Sequence, residues 1–211
     1  MLCTLCASTS FPFCDDKNRK YFRCPECDLI FADRETRLLP NEEKAIYDYH
    51  ENDPNDTQYR AFLSQLSEPL LEKLVPGMSG LDFGSGPGPV LHLMLEEQGM
   101  KMSIYDIFYA PAREQLDRQY DFVTSTEVVE HFYEPAATWP ELVSLVKPNG
   151  WIGIMTSLFT QETAERFKLW NYKNDPTHVS FYTPKTMNWI ATHFQLHLEV
   201  ISNRIMLFKK G

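Results

Sequence analysis

The spacing of apolar and polar positions changes along the chain, and each change predicts an element. Between about positions 57 and 74, Phe62, Leu63, Leu66, Leu70, Leu71 and Leu74 recur at helical intervals, which predicts an amphipathic helix ended by Pro76-Gly77. A shorter helix is predicted before it, starting at the capping sequence Asn41-Glu-Glu-Lys, with Asn52-Asp-Pro-Asn-Asp as the break between the two. From position 79 onward short apolar runs alternate with helical patterns. Strands are predicted at 80–83, 102–105, 122–125 and 151–156. Helices are predicted at 89–98, at 135–146 (closed by Lys147-Pro-Asn-Gly) and from Thr183-Pro184 to about 193. A last strand pair, 196–201 and 205–208, is joined by Ser202-Asn-Arg. Strands alternating with helices predict an α/β fold whose mainly parallel sheet is covered on both faces.

The N-terminal stretch follows a different logic. All five cysteines lie between Cys3 and Cys27, and four form the pairs Cys3-x-x-Cys6 and Cys24-x-x-Cys27, with a hairpin's length of chain between them. Each pair lets a tight turn aim two thiolates at one metal ion, which is the spacing of a four-cysteine zinc ribbon. Tyr21-Phe-Arg and Leu29-Ile-Phe are its predicted flanking strands, and Cys14 is a spare thiol. Four thiolates close a tetrahedron, so the expected Zn²⁺ is structural and does not activate water. The expected divisions are a ribbon at 1–35, a helical lead-in that lids the cofactor at 41–75, and an α/β domain at 76–211.

Composition narrows the options. A 211-residue chain with 43% hydrophobic residues can bury a substantial core. No apolar run approaches the ~20 residues of a membrane span, and Met1-Leu-Cys-Thr-Leu-Cys lacks the regions of a signal peptide, so a cytoplasmic protein with no membrane partner is expected. The net charge of −9 weighs against a broad electrostatic grip on nucleic acid. Positions 1–40, with six Lys/Arg and six Asp/Glu, are balanced and not basic.

The chemistry centres on Leu81-Asp-Phe-Gly-Ser-Gly-Pro-Gly. Alternating Gly84, Gly86 and Gly88 follow a strand that ends in the acid Asp82 and precede a helix, the place where nucleotide-like ligands approach the main chain. The dinucleotide spacing is G-x-G-x-x-G, whereas G-x-G-x-G stands here, and Pro89 removes a donor that a pyrophosphate would use. The D-x-G-x-G-x-G segment resembles motif I of the class I S-adenosylmethionine-dependent methyltransferases. The resemblance covers about positions 60–210: motif I, the acid Asp106 after the second strand, Tyr-Asp-Phe-Val with Glu-Val-Val-Glu-His, and Leu-Val-Lys-Pro-Asn-Gly-Trp follow in order. It looks most like the small-molecule branch that includes quinone-ring enzymes. It implies a Rossmann-like methyltransferase sheet with helices on both faces. The connection from Asp106 to Tyr120 is too short for the family's usual helix and strand, so the third strand is expected to be missing or vestigial.

What the resemblance implies can be placed residue by residue. Asp106 would accept the ribose hydroxyls, with Ile107 and Phe108 beside the adenine. Asp82, Phe83, Gly84, Ser85, Gly86 and Gly88 would form the turn against the amino acid part, and Thr126 and Glu127 would face the methionine. Tyr47, His50, Tyr59 and Arg60 come from the lid segment, where an Arg or Tyr suits the cofactor carboxylate. Methyl transfer from a sulfonium needs alignment and exclusion of water, and a hydroxyl acceptor also needs a base. His131, His178 and Glu127 are the catalytic candidates. His131 stands four positions after Glu127, so one helical turn would aim both the same way. Capping by Glu127 and His131, and simple packing of His178 beside Phe181 and Tyr182, are the competing readings.

Ser125-Thr-Glu-Val stands where enzymes that methylate exocyclic amines carry Asn/Asp-Pro-Pro-Tyr, which favours O- or C-methylation of a small, aromatic acceptor. The aromatic stretch 158–182 is either a wall for that acceptor or a buried cover on the core. Two other functions stay open: an RNA methyltransferase that docks RNA through the ribbon, and a non-catalytic module that binds cofactor or a protein partner.

Overall fold

The computed structural model describes residues 1–49 and 52–211. The N-terminal segment folds into a hairpin, β1 (Phe11–Asp15) and β2 (Lys20–Arg23), followed by β3 (Ile30–Ala32). Two helices come next, α1 (Pro40–Tyr47) and α2 (Thr57–Leu71). Asp56 caps α2 by accepting from the amides of Gln58 and Tyr59. In α1 the cap position falls on Leu39, and Pro40, whose fixed φ suits the first helical position, starts the helix ahead of the expected Asn41.

The alternating region begins with β4 (Ser79–Phe83), α3 (Leu91–Glu97) and β5 (Lys101–Tyr105). It continues through β6 (Tyr120–Thr126), α4 (Pro135–Ser144), β7 (Val146–Met155) and α5 (Ala164–Lys168). It ends with β8 (Ser180–Phe181), α6 (Pro184–His193), β9 (Leu196–Val200) and β10 (Ile205–Lys210). Six of these strands form one sheet in the order β5-β4-β6-β7-β10-β9. β5, β4, β6 and β7 are parallel, and β10 and β9 close the far edge antiparallel. Between Asp106 and Tyr120 the described residues contain a short 3-10 helix, Arg113–Asp117, and no strand of the main sheet, so the third strand is absent as expected.

Period-two alternation places the two cores. In β10, Ile205 and Leu207 join the α2–α3 side, while Met206 and Phe208 join the α4–α6 side. The chain order reverses between β4 and β6, so the crevice at their C-terminal ends is the topological switch point of the sheet.

One expectation changes. Lys147-Pro-Asn-Gly does not close α4 as a loop; it lies inside β7 as a bulge. Tyr120 pairs with Val146 while Phe122 pairs with Trp151, and Asn149 takes the left-handed conformation (φ 64) that absorbs the extra length of chain. The N-terminal hairpin is joined to the rest of the chain. β3 pairs with β8 to complete a second sheet, β1-β2-β3-β8. Cys3, Cys24, Cys27 and Leu29 share one apolar cluster with Trp139, Tyr182 and Ile190.

Candidate functional site

The C-terminal ends of β4, β5 and β6 open on a cleft of about 1120 Å³. Its floor is the glycine turn. Gly84 (φ 80) donates its N–H to the Tyr105 carbonyl (2.8 Å), and the Ser85 amide reaches the same oxygen (3.1 Å). Gly86 (φ 70) donates to Asp106 Oδ2 at 2.9 Å. Both glycines sit where a side chain would be strained. A Cβ at Gly84 would also lie 2.5 Å from the Val128 side chain, while at Gly86 it would meet nothing within 4 Å among the described residues. The turn is therefore backed by protein at Gly84 and open at Gly86.

Asp106 links this turn to its own strand end. Besides Gly86, it accepts from the amides of Phe108 (2.8 Å) and Tyr109 (3.0 Å) through Oδ1. A carboxylate offers about four acceptor positions, so one remains, on Oδ2. Asp82 is buried and accepts from Thr124 Oγ1 at 2.8 Å. Burial pushes its carboxyl up to about 6, the Thr124 hydrogen bond opposes this, and the charge of Asp106 adds to it.

Phe83, Ser85, Ile107, Thr126 and Glu127 line the cleft together with these residues. Gly88 does not. The turn leaves the cleft at Pro87, and Gly88 packs on the chain between α1 and α2, where an added Cβ would come within 3.1 Å of the Asn52 carbonyl oxygen. Tyr47 and Tyr59 of the lead-in line the cleft, but Arg60 is turned away into an ion pair with Glu97 and a bond to the Pro54 carbonyl (3.2 Å). His50 lies outside the described residues.

Beyond the glycine turn the cleft ends in a cluster of acids and histidines. Glu127 has a left-handed backbone (φ 52) and precedes a single 3-10 turn, Val129–His131. No α-helix aligns Glu127 with His131 as their spacing suggested; the strained residue at the end of β6 and the tight turn bring both to the cleft. Glu127 pairs with Arg204 (3.2 Å), and its Oε2 lies 3.2 Å from Tyr172 OH. The same hydroxyl contacts Glu130 Oε1, and with one proton to give it donates to one carboxylate and accepts from the other's carboxyl. Glu130 is fully buried, and its Oε2 has no hydrogen-bond partner among the described residues. His131 Nδ1 meets Tyr47 OH (2.9 Å) and the Thr177 carbonyl (3.2 Å). The rings of His131 and His178 cross at 4.8 Å between centroids. Glu130, His131 and His178 bring one donor atom each within 4.8 Å of one another.

For Glu127, Glu130, His131 and His178 the shifts favour the uncharged form. Burial raises the carboxyls of Glu127 and Glu130, and their mutual proximity raises Glu127 further, against the pull of Arg204 and Tyr172. Burial lowers His131 and His178, and the proximity of His131 lowers His178 again, against Asp175. His178 Nδ1 lies 2.7 Å from the Tyr172 carbonyl, which can only accept, so Nδ1 carries the proton. The tautomer is thereby defined and Nε2 carries the lone pair, 3.9 Å from Asp175 Oδ2, while burial and then His131 push the imidazole down to about 4.

Glu130, Tyr172 and Arg204 were not singled out for this cluster from the sequence. Glu130 had a signal, since it stands in Glu127-Val-Val-Glu-His; Tyr172 and Arg204 arrive from distant segments. The aromatic stretch 158–182 is largely core. Phe159, Phe167 and Phe181 pack with Tyr21 and Ile30 of the ribbon. Trp170 and Tyr172 line a smaller neighbouring pocket of about 610 Å³.

The four paired cysteines share the apolar cluster of Tyr182. Cys3 and Cys27 sulfurs are 3.5 Å apart and those of Cys6 and Cys24 3.4 Å, with all four within 4.8 Å. Zn–S bonds of about 2.3 Å in a tetrahedron require sulfurs about 3.8 Å apart, so the donor set has the right size. Cys14 is buried among Tyr21 and Phe167 in a different cluster, and burial pushes its thiol up to about 11.

Known proteins are similar to this chain in sequence and in fold. The family described as methyltransferase domain matches residues 55–200. A ubiquinone biosynthesis O-methyltransferase of Aeromonas salmonicida is 33% identical over 79 residues, 37% of this chain and 33% of the relative. One from Pseudomonas aeruginosa is 31% identical over 91 residues, 43% of this chain and 39% of the relative. The matched stretch thus spans little more than a third of the length of these curated relatives. Among solved structures, a SAM-dependent methyltransferase from Archaeoglobus fulgidus superposes with a TM-score of 0.56 at 19% identity, covering 72% of this chain and 94% of that one. The Burkholderia thailandensis 1,6-didemethyltoxoflavin-N1-methyltransferase, solved with 1,6-didemethyltoxoflavin and S-adenosylhomocysteine, superposes at 0.53 with 16% identity and covers 94% of this chain and 98% of that one. The two structures share the fold, and the match over residues 55–200 identifies the chain as a member of the methyltransferase-domain family.

Proposed function

We propose that the protein is an S-adenosylmethionine-dependent methyltransferase that methylates a hydroxyl of a small, aromatic acceptor. The observation that carries this reading is the juxtaposition, in one cleft, of a glycine turn open at Gly86, the spare acceptor position of Asp106, and the His178 Nε2 lone pair. The cofactor fits the residues present. Ser85 Oγ is a buried turn hydroxyl without a partner among the described residues, and Asp82 is a carboxyl held above its ordinary range until a cation approaches. When bound, S-adenosylmethionine supplies a methyl group on a positively charged sulfonium.

Asp106 accepts from a ribose hydroxyl through its remaining position, and Ile107 and Phe108 flank the adenine. Asp82 and the Gly84–Gly86 backbone hold the amino acid end, with Thr126 and Glu127 beside the methionine. His178 Nε2 takes the proton from the acceptor hydroxyl. His131 is tied to Tyr47 and Thr177 and orients this corner. The stretch shared with the ubiquinone O-methyltransferases, together with Ser125-Thr-Glu-Val in place of an amine-binding motif after β6, supports an oxygen acceptor. Cys3, Cys6, Cys24 and Cys27 hold a structural Zn²⁺. The merging of the ribbon into the main core supports a structural role for it over RNA docking.

Calorimetry with S-adenosylhomocysteine tests the cofactor assignment, with binding to the wild type and at least tenfold weaker binding to Asp106→Ala expected. Transfer of labelled methyl from S-adenosylmethionine to a panel of catechols and hydroxy-aromatics tests the acceptor class. Product formation lost in His178→Gln is expected; labelling of RNA in preference to every small acceptor would replace this reading with the docking one.

A further inference from the structure

The turn between β1 and β2 reads Asp16-Lys-Asn-Arg19. Asp16 Oδ1 accepts the amides of Asn18 (2.9 Å) and Arg19 (2.8 Å), closing the turn on itself. This aims Arg19 under the 171–178 segment, where it is 8% exposed. Its guanidinium donates to the carbonyl oxygens of His178 (2.7 Å), Asp175 (3.0 Å), Pro176 (3.2 Å) and Lys173. A second tie runs the other way, from the buried Lys173 ammonium to Asp16 Oδ2 at 2.8 Å.

These carbonyls belong to a stretch without a strand ladder, and buried carbonyls must find donors. Arginine presents five donors in a planar fork; lysine presents three from one point. Four carbonyls converging from one segment therefore suit arginine. The same segment carries two groups of the reacting corner: Tyr172, whose hydroxyl holds Glu127 and Glu130, and His178, whose tautomer is set by the Tyr172 carbonyl.

We propose that Arg19 is a positioning residue that holds the 171–178 segment so that Tyr172 and His178 stand at the reacting end of the cleft. The cysteine hairpin is then a working part of the active site and not a detachable docking module. This rests on the methyl-transfer reading only for the role given to His178.

Full-length, metal-replete Arg19→Met and Arg19→Lys test it against the wild type. Amide hydrogen exchange in 171–178 is expected to quicken at least tenfold in Arg19→Met, with 80–83 and 120–126 unchanged. The His178 ring ¹³C signal should shift, and S-adenosylhomocysteine affinity should stay within twofold. Arg19→Lys should show the same localised change, smaller, and it decides alone if Arg19→Met does not fold. A folded variant with wild-type exchange in 171–178 and an unmoved His178 signal overturns the proposal. So does faster exchange spread evenly through the fold, which marks a purely structural arginine. Failure of the wild type to bind S-adenosylhomocysteine would defeat the cofactor reading and leave the exchange and ring comparisons intact.

Discussion

Asp106 Oδ2 accepts the amide hydrogen of Gly86 at 2.9 Å, tying the end of β5 to the glycine turn that follows β4. One carboxylate thereby shapes two walls of the cleft, since its other oxygen holds the amides of Phe108 and Tyr109. Asp106→Ala should lose both the ribose acceptor and the turn. Three backbone donors in half-buried residues, each hydrogen bond worth about 0.5–1.5 kcal/mol net, predict a stability loss of about 2–4 kcal/mol in urea denaturation. Asp106→Asn keeps one acceptor oxygen and should fall between. Wild-type stability in Asp106→Ala would show that the three bonds are dispensable.

The two glycines of the turn should respond differently to alanine. The left-handed conformation costs alanine about 1–2 kcal/mol at either position, but only Gly84→Ala also collides with Val128. Gly84→Ala is expected to lower the melting temperature more than Gly86→Ala, and Val128→Ala should recover part of the difference. Equal losses with no recovery would mean that the turn moves freely away from Val128.

Cofactor affinity should depend on pH, and the sign follows from the acids. Asp82 and Glu127 are raised by burial in the free protein, so each binds a proton more readily than an exposed carboxyl. A cationic ligand favours their charged forms and releases those protons. Affinity for S-adenosylmethionine should therefore rise with pH up to about 8 and fall below it, first as Glu127 (pushed up to about 8) and then as Asp82 (pushed up to about 6) take up protons, by up to about tenfold per unit for each released proton. S-adenosylhomocysteine, which lacks the sulfonium charge, should show a shallower slope in calorimetry across pH 5–8. Parallel slopes would place the sulfonium away from Glu127.

Metal removal should reach beyond the ribbon. Trp139 donates to Tyr182 OH at 3.2 Å within the cluster that also buries Cys3, Cys24 and Cys27. One zinc per chain is expected by elemental assay. Chelation, or Cys27→Ser, should lower the single melting transition and alter Trp emission together. Zinc loss with an unchanged transition would make the ribbon an independent appendage.

Much of the fold was legible because its determinants are local. Leucines at helical spacing, alternating apolar runs, the glycine turn and the two cysteine knuckles each act over a short stretch of chain. The structure places α2, β4–β7 and the thiol cluster where those patterns fall. The short Asp106–Tyr120 connection likewise foretold the missing third strand. The exceptions arise where another segment intervenes. Lys147-Pro-Asn-Gly reads as a loop and becomes a bulge because the strand beside it sets the register, and Gly88 reads as part of a ligand turn but faces Asn52.

The glycine turn, the four paired cysteines and the order of strands and helices could thus be read from the chain alone, since they follow from backbone conformation and hydrophobic period. The construction of the reacting corner could not, because it exists only once the chain has folded. Tyr172 reaches Glu130 across 42 positions, Arg204 reaches Glu127 across 77, and Arg19 reaches the His178 carbonyl across 159. Their roles depend on desolvation and on carbonyls that need donors, and neither arises until distant segments close around them.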